Sequence, residues 1–280
     1  MVRILTDSSC ELTPEQAEEL GVTVIPLIVN IENVAYKDRI DITPEQFYEL
    51  LTTQKALPTT AQITPRVFLE HFTNLVEAGE EVLALIFSSA LSGTFQSAVV
   101  AKNMLTKGRV EVIDTKCASV GLGLVVTEAA KMAQTGADME TILAKVQTMC
   151  QRMEHIILVN TLDMLKKGGR ISSTRALVGG MLNVKPILQI IEGAIVPLDN
   201  PRGWKKALSR MEEIFKARGG HITQRPVSIG HCANEEKAEE LYQALQEQFL
   251  IEQISISKMG PVIGTHVGFG TIGLAFERNE

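Results

Sequence analysis

Short apolar runs alternate with amphipathic helical stretches along the whole of this 280-residue chain, and few folds accept that order. "EVLALIF" (residues 81–87) has almost no polar side chain and reads as a strand buried on both faces, the habit of parallel sheets covered by helices. "VRILT" near the start, "VTVIPLIVN" (22–30) and "VEVID" (110–114) read as further strands. Between the first two, "TPEQAEEL" carries a Thr13 cap, Pro14 at the first helical position, and Glu15 and Glu18, the marks of a helix start. The signal returns at "TPEQFYELL" and "TPRVFLEHFTNLVEAG". Further helices are expected from about Gly93 to Lys107, through "GLGLVVTEAAKMAQTG" and through "DMETILAKVQTMCQRM". The class is therefore α/β.

A second unit begins near "HIILVN". It holds a short helix ending at "KKGGR", strands "VKPILQI" and "AIVPLD" joined at Glu192 and Gly193, the helix "KKALSRMEEIFKARG", the strand "PVSIGH", the helix "NEEKAEELYQALQEQF", and the strands "IEQISISK" and "GTIGLAF". The hairpin makes this second sheet mixed or antiparallel, in contrast to the parallel first one. Two domains are expected, residues 1–155 and 156–280. With 45% hydrophobic residues the chain can bury a sizeable core.

Hydroxyl- and glycine-rich clusters follow several of the strands. They are "TDSS" (Thr6 to Ser9), "LPTTAQ" (Leu57 to Gln62), "SSALSGTFQSA" (Ser88 to Ala98) and "DTKCASVGLG" (Asp114 to Gly123). In an open parallel sheet the carboxyl ends of the strands share one edge, so three of these four are expected to converge there. Each one alone reads equally as a Ser/Thr helix cap; converging, they suit an anion. Pro58 holds Leu57 extended and places Thr59 and Thr60 in a loop. In "GPVIGTHVGFG", His266 stands among glycines, either as a satisfied structural histidine or where backbone approaches a ligand. In "LKKGGRI", Lys166, Lys167 and Arg170 surround two glycines, either as a helix end terminated by Gly168 or, with Arg202, Lys205 and Lys206, as a basic face.

Several chemistries lack their signatures. The net charge of −6 does not suit a general nucleic-acid or anionic-membrane surface. No P-loop, dinucleotide fingerprint, nucleophile elbow or zincin helix is present, and "GLG" at 121–123 is too short for a dinucleotide loop. Cys10, Cys117, Cys150 and Cys232 are scattered, signalling neither a metal site nor a disulfide framework. No window approaches a membrane span and the start shows no export signal, so a soluble cytoplasmic protein is expected.

"TDSSCELT", "LPTTAQITP", "SSALSGTFQSA", "VIDTKCASVGLGL", "LKKGGRI" and "GPVIGTHVGFG" occur in the order and approximate spacing of the DegV family, and the resemblance spans essentially the whole chain. It implies a two-domain α/β protein with a fatty acid buried between the domains. It further implies the binding subunit of a bacterial fatty acid kinase, whose catalytic partner supplies ATP. By the same resemblance the carboxylate falls to Thr60 and Ser92 with His266 close by, and Thr59, Ser89, Gly93, Thr94, Gly264 and Thr265 become head-group neighbours. Arg170, Arg202 and Lys205 become candidates for docking the kinase, and no metal or cofactor beyond the lipid is expected. "VGFG" after His266 departs from the commoner "TGPG", which puts Phe269 near the head group. The residues also admit an enzyme in its own right, a hydrolase or acyltransferase using a serine of "SSALSGT" with His266 as base.

Overall fold

The computed structural model describes residues 1–53, 57–171, 183–219 and 224–279. Strand β1 (Val2–Asp7) leads through a 3₁₀ turn (Ser8–Cys10) to α1 (Pro14–Leu20), β2 (Thr23–Ile25), β3 (Ile28–Ile31), β4 (Val34–Lys37), α2 (Pro44–Thr53), β5 (Thr59–Ala61) and α3 (Pro65–Glu77). There follow β6 (Glu81–Ile86), α4 (Thr94–Met104), β7 (Val110–Asp114), α5 (Ser119–Gln134) and α6 (Met139–Arg152). The remainder comprises β8 (Met153–Leu158), α7 (Asp163–Lys167), β9 (Ile187–Ile191), β10 (Ala194–Asp199), α8 (Trp204–Gly219), β11 (Val227–His231), α9 (Glu235–Phe249), β12 (Ile254–Lys258), α10 (Pro261–Val267) and β13 (Ile272–Glu277).

The first sheet is parallel, in the order β2-β1-β6-β7. Its inner strand β6 is buried from Val82 to Ile86, as an unbroken apolar run requires. The second sheet runs β10-β9-β8-β13-β11-β12 and is antiparallel except for the β11–β12 pair. Its β9–β10 hairpin turns on Glu192 and Gly193, both left-handed at φ 49° and 82°, the requirement of a tight primed turn. Local chemistry sets the helix ends. At α1 the Thr13 hydroxyl accepts from the Gln16 N–H at 3.2 Å, and the Gln16 side chain accepts from the Thr13 N–H at 2.9 Å.

Four segments differ from the sequence expectation. "VTVIPLIVN" is two strands, because Pro26 has no N–H to offer a ladder. β2 joins the parallel sheet, and β3 leaves for a three-stranded antiparallel sheet, β4-β3-β5. The hairpin strand β4 is additional, entered through Glu32 and Asn33 at φ 45° and 71°. "LPTTAQ", expected as a loop, contains β5, in which Thr60 pairs with Val29. "GPVIGTHVGFG" contains the helix α10, with Pro261 in its first turn.

Helix α5 lies between the two sheets, touching β1 on one side and β8, β11 and β13 on the other. That position explains "GLG". A Cβ on Gly121 would fall 2.2 Å from His155 Nε2, and one on Gly123 would fall 2.5 Å from the Cys10 carbonyl oxygen. The glycines let one helix approach both halves at once. One apolar core therefore runs from Leu5 and Leu83 through Val120 to Leu188 and Ala275. A second core, under α8 and α9, packs Phe215 edge-on against Phe276 and Phe249, at centroid distances of 4.8 and 5.0 Å. Among the described residues no helix is long and apolar enough to cross a membrane.

Candidate functional site

At the carboxyl edge of the parallel sheet, three of the hydroxyl clusters meet. The Phe87 N–H donates to Asp7 Oδ2 at 3.0 Å, the Ser88 N–H to the Cys117 carbonyl at 3.0 Å, and the Ser89 N–H to Asp114 Oδ1 at 3.1 Å. Beside this edge, between the sheets, lies a cavity of about 380 Å³. Its walls are apolar: Phe87 and Leu91 follow β6, Ile157, Ile190 and Leu274 come from the second sheet, and Val262 and Ile263 from α10. Polar side chains gather at Thr60, Gln62, Ser92, Arg170 and His266. Thr60, Arg170 and His266 also line an outer pocket of about 220 Å³, so this group forms a polar neck shared by both spaces.

Within the neck, Thr60 Oγ1 lies 2.8 Å from His266 Nε2, joining β5 to α10 across 206 residues of sequence. Burial, assisted by the positive charge of Arg170, pushes the His266 imidazole down to about 4, so it is neutral near pH 7. Ser92 Oγ lies 2.9 Å from Thr94 Oγ1 and accepts from the Thr94 N–H at 3.3 Å. Arg170 Nε donates to the Leu91 carbonyl at 3.1 Å and Nη1 to the Gly168 carbonyl at 2.6 Å, which anchors the guanidinium next to Ser92.

Two glycines make the approaches possible. A Cβ on Gly93 would fall 1.9 Å from Gln62 Oε1, and one on Gly168 would fall 2.6 Å from His266 Nδ1. Gly168 has φ −74°, and the left-handed residue after it is Gly169 at φ 69°. Gly168 is the residue at which α7 stops, as read from the sequence, and it also serves close packing.

The structure brings together Thr60, Ser92, Gly93 and His266, and separates them from other candidates. Ser89 is exposed and its hydroxyl bonds Asp114, outside the cavity. Ser88 instead reaches across, its Oγ donating to the Gly193 carbonyl of the hairpin at 2.7 Å. Thr94 is buried behind Ser92. Thr59 and Thr265 line only the outer pocket, and the Thr265 hydroxyl donates to the Pro261 carbonyl at 2.8 Å. Gly264 faces away, where a Cβ would meet Phe47 and Tyr48 at 2.9 Å. Phe269 is 49% exposed and packs edge-on against Tyr48, away from the cavity. Arg202 and Lys205 are exposed beside the start of α8 and line neither space, whereas Arg170 lines both.

Sequence reasoning missed Gln62, Ser119 and His155 as cavity residues. His155 is buried, its Nε2 accepting from the Ala118 N–H at 3.3 Å, and burial pushes it down to about 4. A histidine at the start of an apolar strand was the available signal. The described hydrogen bonds join His266 to Thr60 and Ser92 to Thr94, so a serine of the 88–98 stretch and an imidazole base are not paired.

Comparison with known proteins adds to this geometry. The model of the family described as "Uncharacterised protein, DegV family" matches residues 1–279. A DegV domain-containing protein of Caldanaerobacter subterraneus is 39% identical over 276 residues, covering 99% of this chain and 98% of that protein. A DegV family protein from Thermus thermophilus, whose structure is described by its fatty acid binding, matches with a TM-score of 0.92 and 33% identity over 99% of both chains. DegV from Bacillus subtilis, described as a fatty acid binding protein, matches with a TM-score of 0.91 and 29% identity over 99% of both chains.

Proposed function

The chain belongs to the DegV family, and on that premise we propose that it holds one long-chain fatty acid, the carboxylate at the Thr60–Ser92–His266 neck and the acyl chain in the cavity between the sheets. The observation that carries this reading is an apolar cavity whose lining includes the hydrogen-bonding side chains of Thr60, Ser92 and His266. A carboxylate leaving water needs its oxygens satisfied, and two hydroxyls with a neighbouring imidazole do so. Arg170 adds a positive field, its Nε and Nη1 each donating one hydrogen bond to backbone. Each CH₂ buried contributes about 0.8 kcal/mol before the costs of association. Native mass spectrometry of the purified protein, with extraction of any released molecule, tests the reading. A stoichiometric long-chain fatty acid supports it; an empty protein that takes up no added fatty acid overturns it.

The finer proposal is that the bound lipid is presented, in the bacterial cytoplasm, to a separate fatty acid kinase. There a carboxylate oxygen bonds the terminal phosphorus of ATP, ADP leaves, and an acyl phosphate results. The neck adjoins the outer pocket, where Lys167 and Arg170 suit an incoming phosphate, with Arg202 and Lys205 as docking contacts. This chain is then not a catalyst alone, a reading favoured by an imidazole pushed to about 4, far from the range of an efficient base. Hydroxylamine trapping checks it: with ATP and palmitate, acyl hydroxamate should form only after a kinase partner is added. Hydroxamate formed by this chain alone would overturn the division of labour.

A further inference from the structure

Helix α10 is only seven residues long, yet it carries His266 and three apolar cavity residues, Val262, Ile263 and Val267. Its own capping does not hold it, since Gly260 at the N-cap has no side chain to offer. The holding groups come from the other end of the sequence. The Gly260 N–H donates to Glu11 Oε2 at 2.7 Å, Arg39 Nη2 donates to the Lys258 carbonyl at 2.7 Å, and the Tyr48 hydroxyl donates to the Met259 carbonyl at 2.8 Å. Three consecutive residues leading into α10 are thus each fixed by a different side chain from the first fifty residues.

Those side chains are themselves organised. Arg39 forms an ion pair with Glu11, whose other oxygen accepts from Ser119 Oγ at 3.1 Å. Asp38 accepts from Ser8 Oγ at 2.7 Å, and Ser8 Oγ in turn accepts from the Leu27 N–H at 3.1 Å. All three side chains crowd the space beside the Gly260 Cα. A Cβ on Gly260 would fall 3.0 Å from Arg39 Nε, 3.1 Å from Asp38 Oδ1 and 3.3 Å from Glu11 Oε2. Glu11, Arg39 and Ser119 also adopt left-handed backbone angles, with φ of 65°, 62° and 51°. Non-glycine residues in that region store strain, and strain gathers where surrounding structure over-determines a geometry that matters.

We infer that the Glu11–Arg39–Asp38 cluster is a positioning device, which fixes the approach of α10 and so holds the His266 imidazole on Thr60. Gly260 precedes His266 by six residues on one short rigid element, so displacing Gly260 displaces the imidazole with it. Glu11, Arg39 and Asp38 are positioning residues, because none of them lines the cavity. As a statement about ligand affinity the inference rests on the head-group reading above; as a statement about His266 it does not.

The experiment has two arms, applied to wild type, Glu11→Gln and Thr60→Val. Palmitate affinity is measured by titration calorimetry, and the His266 side-chain nitrogens are followed by ¹⁵N NMR without ligand. Glu11→Gln is expected to weaken palmitate binding at least about tenfold and to move the His266 nitrogen shifts toward those of a solvated imidazole. A folded Glu11→Gln protein with wild-type affinity and unchanged His266 resonances overturns the inference, as does a lower melting temperature with unchanged resonances, the mark of scaffolding alone. If Glu11→Gln does not fold, Tyr48→Phe is judged in its place. That variant removes one hydroxyl bond to Met259, and about three- to tenfold weaker binding with shifted His266 signals is expected; unchanged signals reject the inference. Thr60→Val separates the two ideas. Wild-type affinity in that variant sinks the head-group reading, while the NMR arm still decides the positioning role.

Discussion

Single methyl groups decide whether the two halves of this protein can meet. Gly121 and Gly123 sit on α5 where the helix touches His155 on one side and the Cys10 carbonyl on the other. Alanine at either site overpacks a dense interior, and we expect losses of about 1–3 kcal/mol in denaturant unfolding, larger for Gly123→Ala because a backbone carbonyl cannot rotate aside. At the neck the sensitive atom is a hydroxyl. Thr60→Val keeps the β-branched shape that β5 accepts and removes the group 2.8 Å from His266 Nε2. Stability should change little, while fatty acid affinity measured by displacement of a fluorescent analogue should fall about tenfold. Affinity equal to wild type would place the carboxylate elsewhere.

The elements that build the site are short and depend on contacts distant in sequence. The β9–β10 hairpin is tied to the parallel sheet by Ser88 Oγ donating to the Gly193 carbonyl, and a Cβ on Gly193 would fall 2.4 Å from Ser88 Oγ. Gly193→Ala also forces a left-handed φ of 82° on an alanine. We expect about 1–3 kcal/mol of destabilisation, with the amide shifts of Ser88 and the hairpin moving together in NMR spectra. A change confined to the hairpin would show that the latch carries no coupling. Elements of this kind were the least legible in advance. Pro26 was visible, but not that the chain beyond it joins another sheet. The Thr59–Ala61 stretch has strand character only because β3 lies beside it. The glycines around His266 argue against a helix by propensity, yet Gly264 is what lets α10 lie against Phe47 and Tyr48.

Stability of the whole molecule should respond to pH through groups that burial has shifted in opposite directions. His155 is pushed down to about 4 from an ordinary 6.5, so between those values the unfolded chain binds the extra proton. Its contribution is full above about 6.5 and is lost as pH falls toward 4. Asp38 is pushed up to about 7 from an ordinary 3.8, so the folded protein keeps a proton that the unfolded chain releases. That contribution is full below about 3.8 and is lost as pH rises through about 7. Difference measurements isolate each group. Relative to wild type, Asp38→Asn should gain stability from about pH 4 to pH 7 and then level off, whereas His155→Gln should gain as pH falls from about 6.5 to 4. Parallel stability curves for wild type and variant would contradict the corresponding shift. The α/β class, the parallel first sheet and the mixed second sheet were legible in the sequence, because apolar periodicity, caps and turn residues act over a few residues and leave their mark in the chain. Thr60, Ser92 and His266 were expected from the resemblance to the DegV family alone, and the structure brings them to one cavity. The course of the chain after Pro26, the placing of Arg170 at the neck and the hold of Glu11 and Arg39 on α10 were decided only by the tertiary structure. A charged side chain looks the same in sequence whether it ends in water or, as Glu11 does, in a buried ion pair with Arg39 and a hydrogen bond from the Gly260 N–H 249 residues away, and only packing chooses between them.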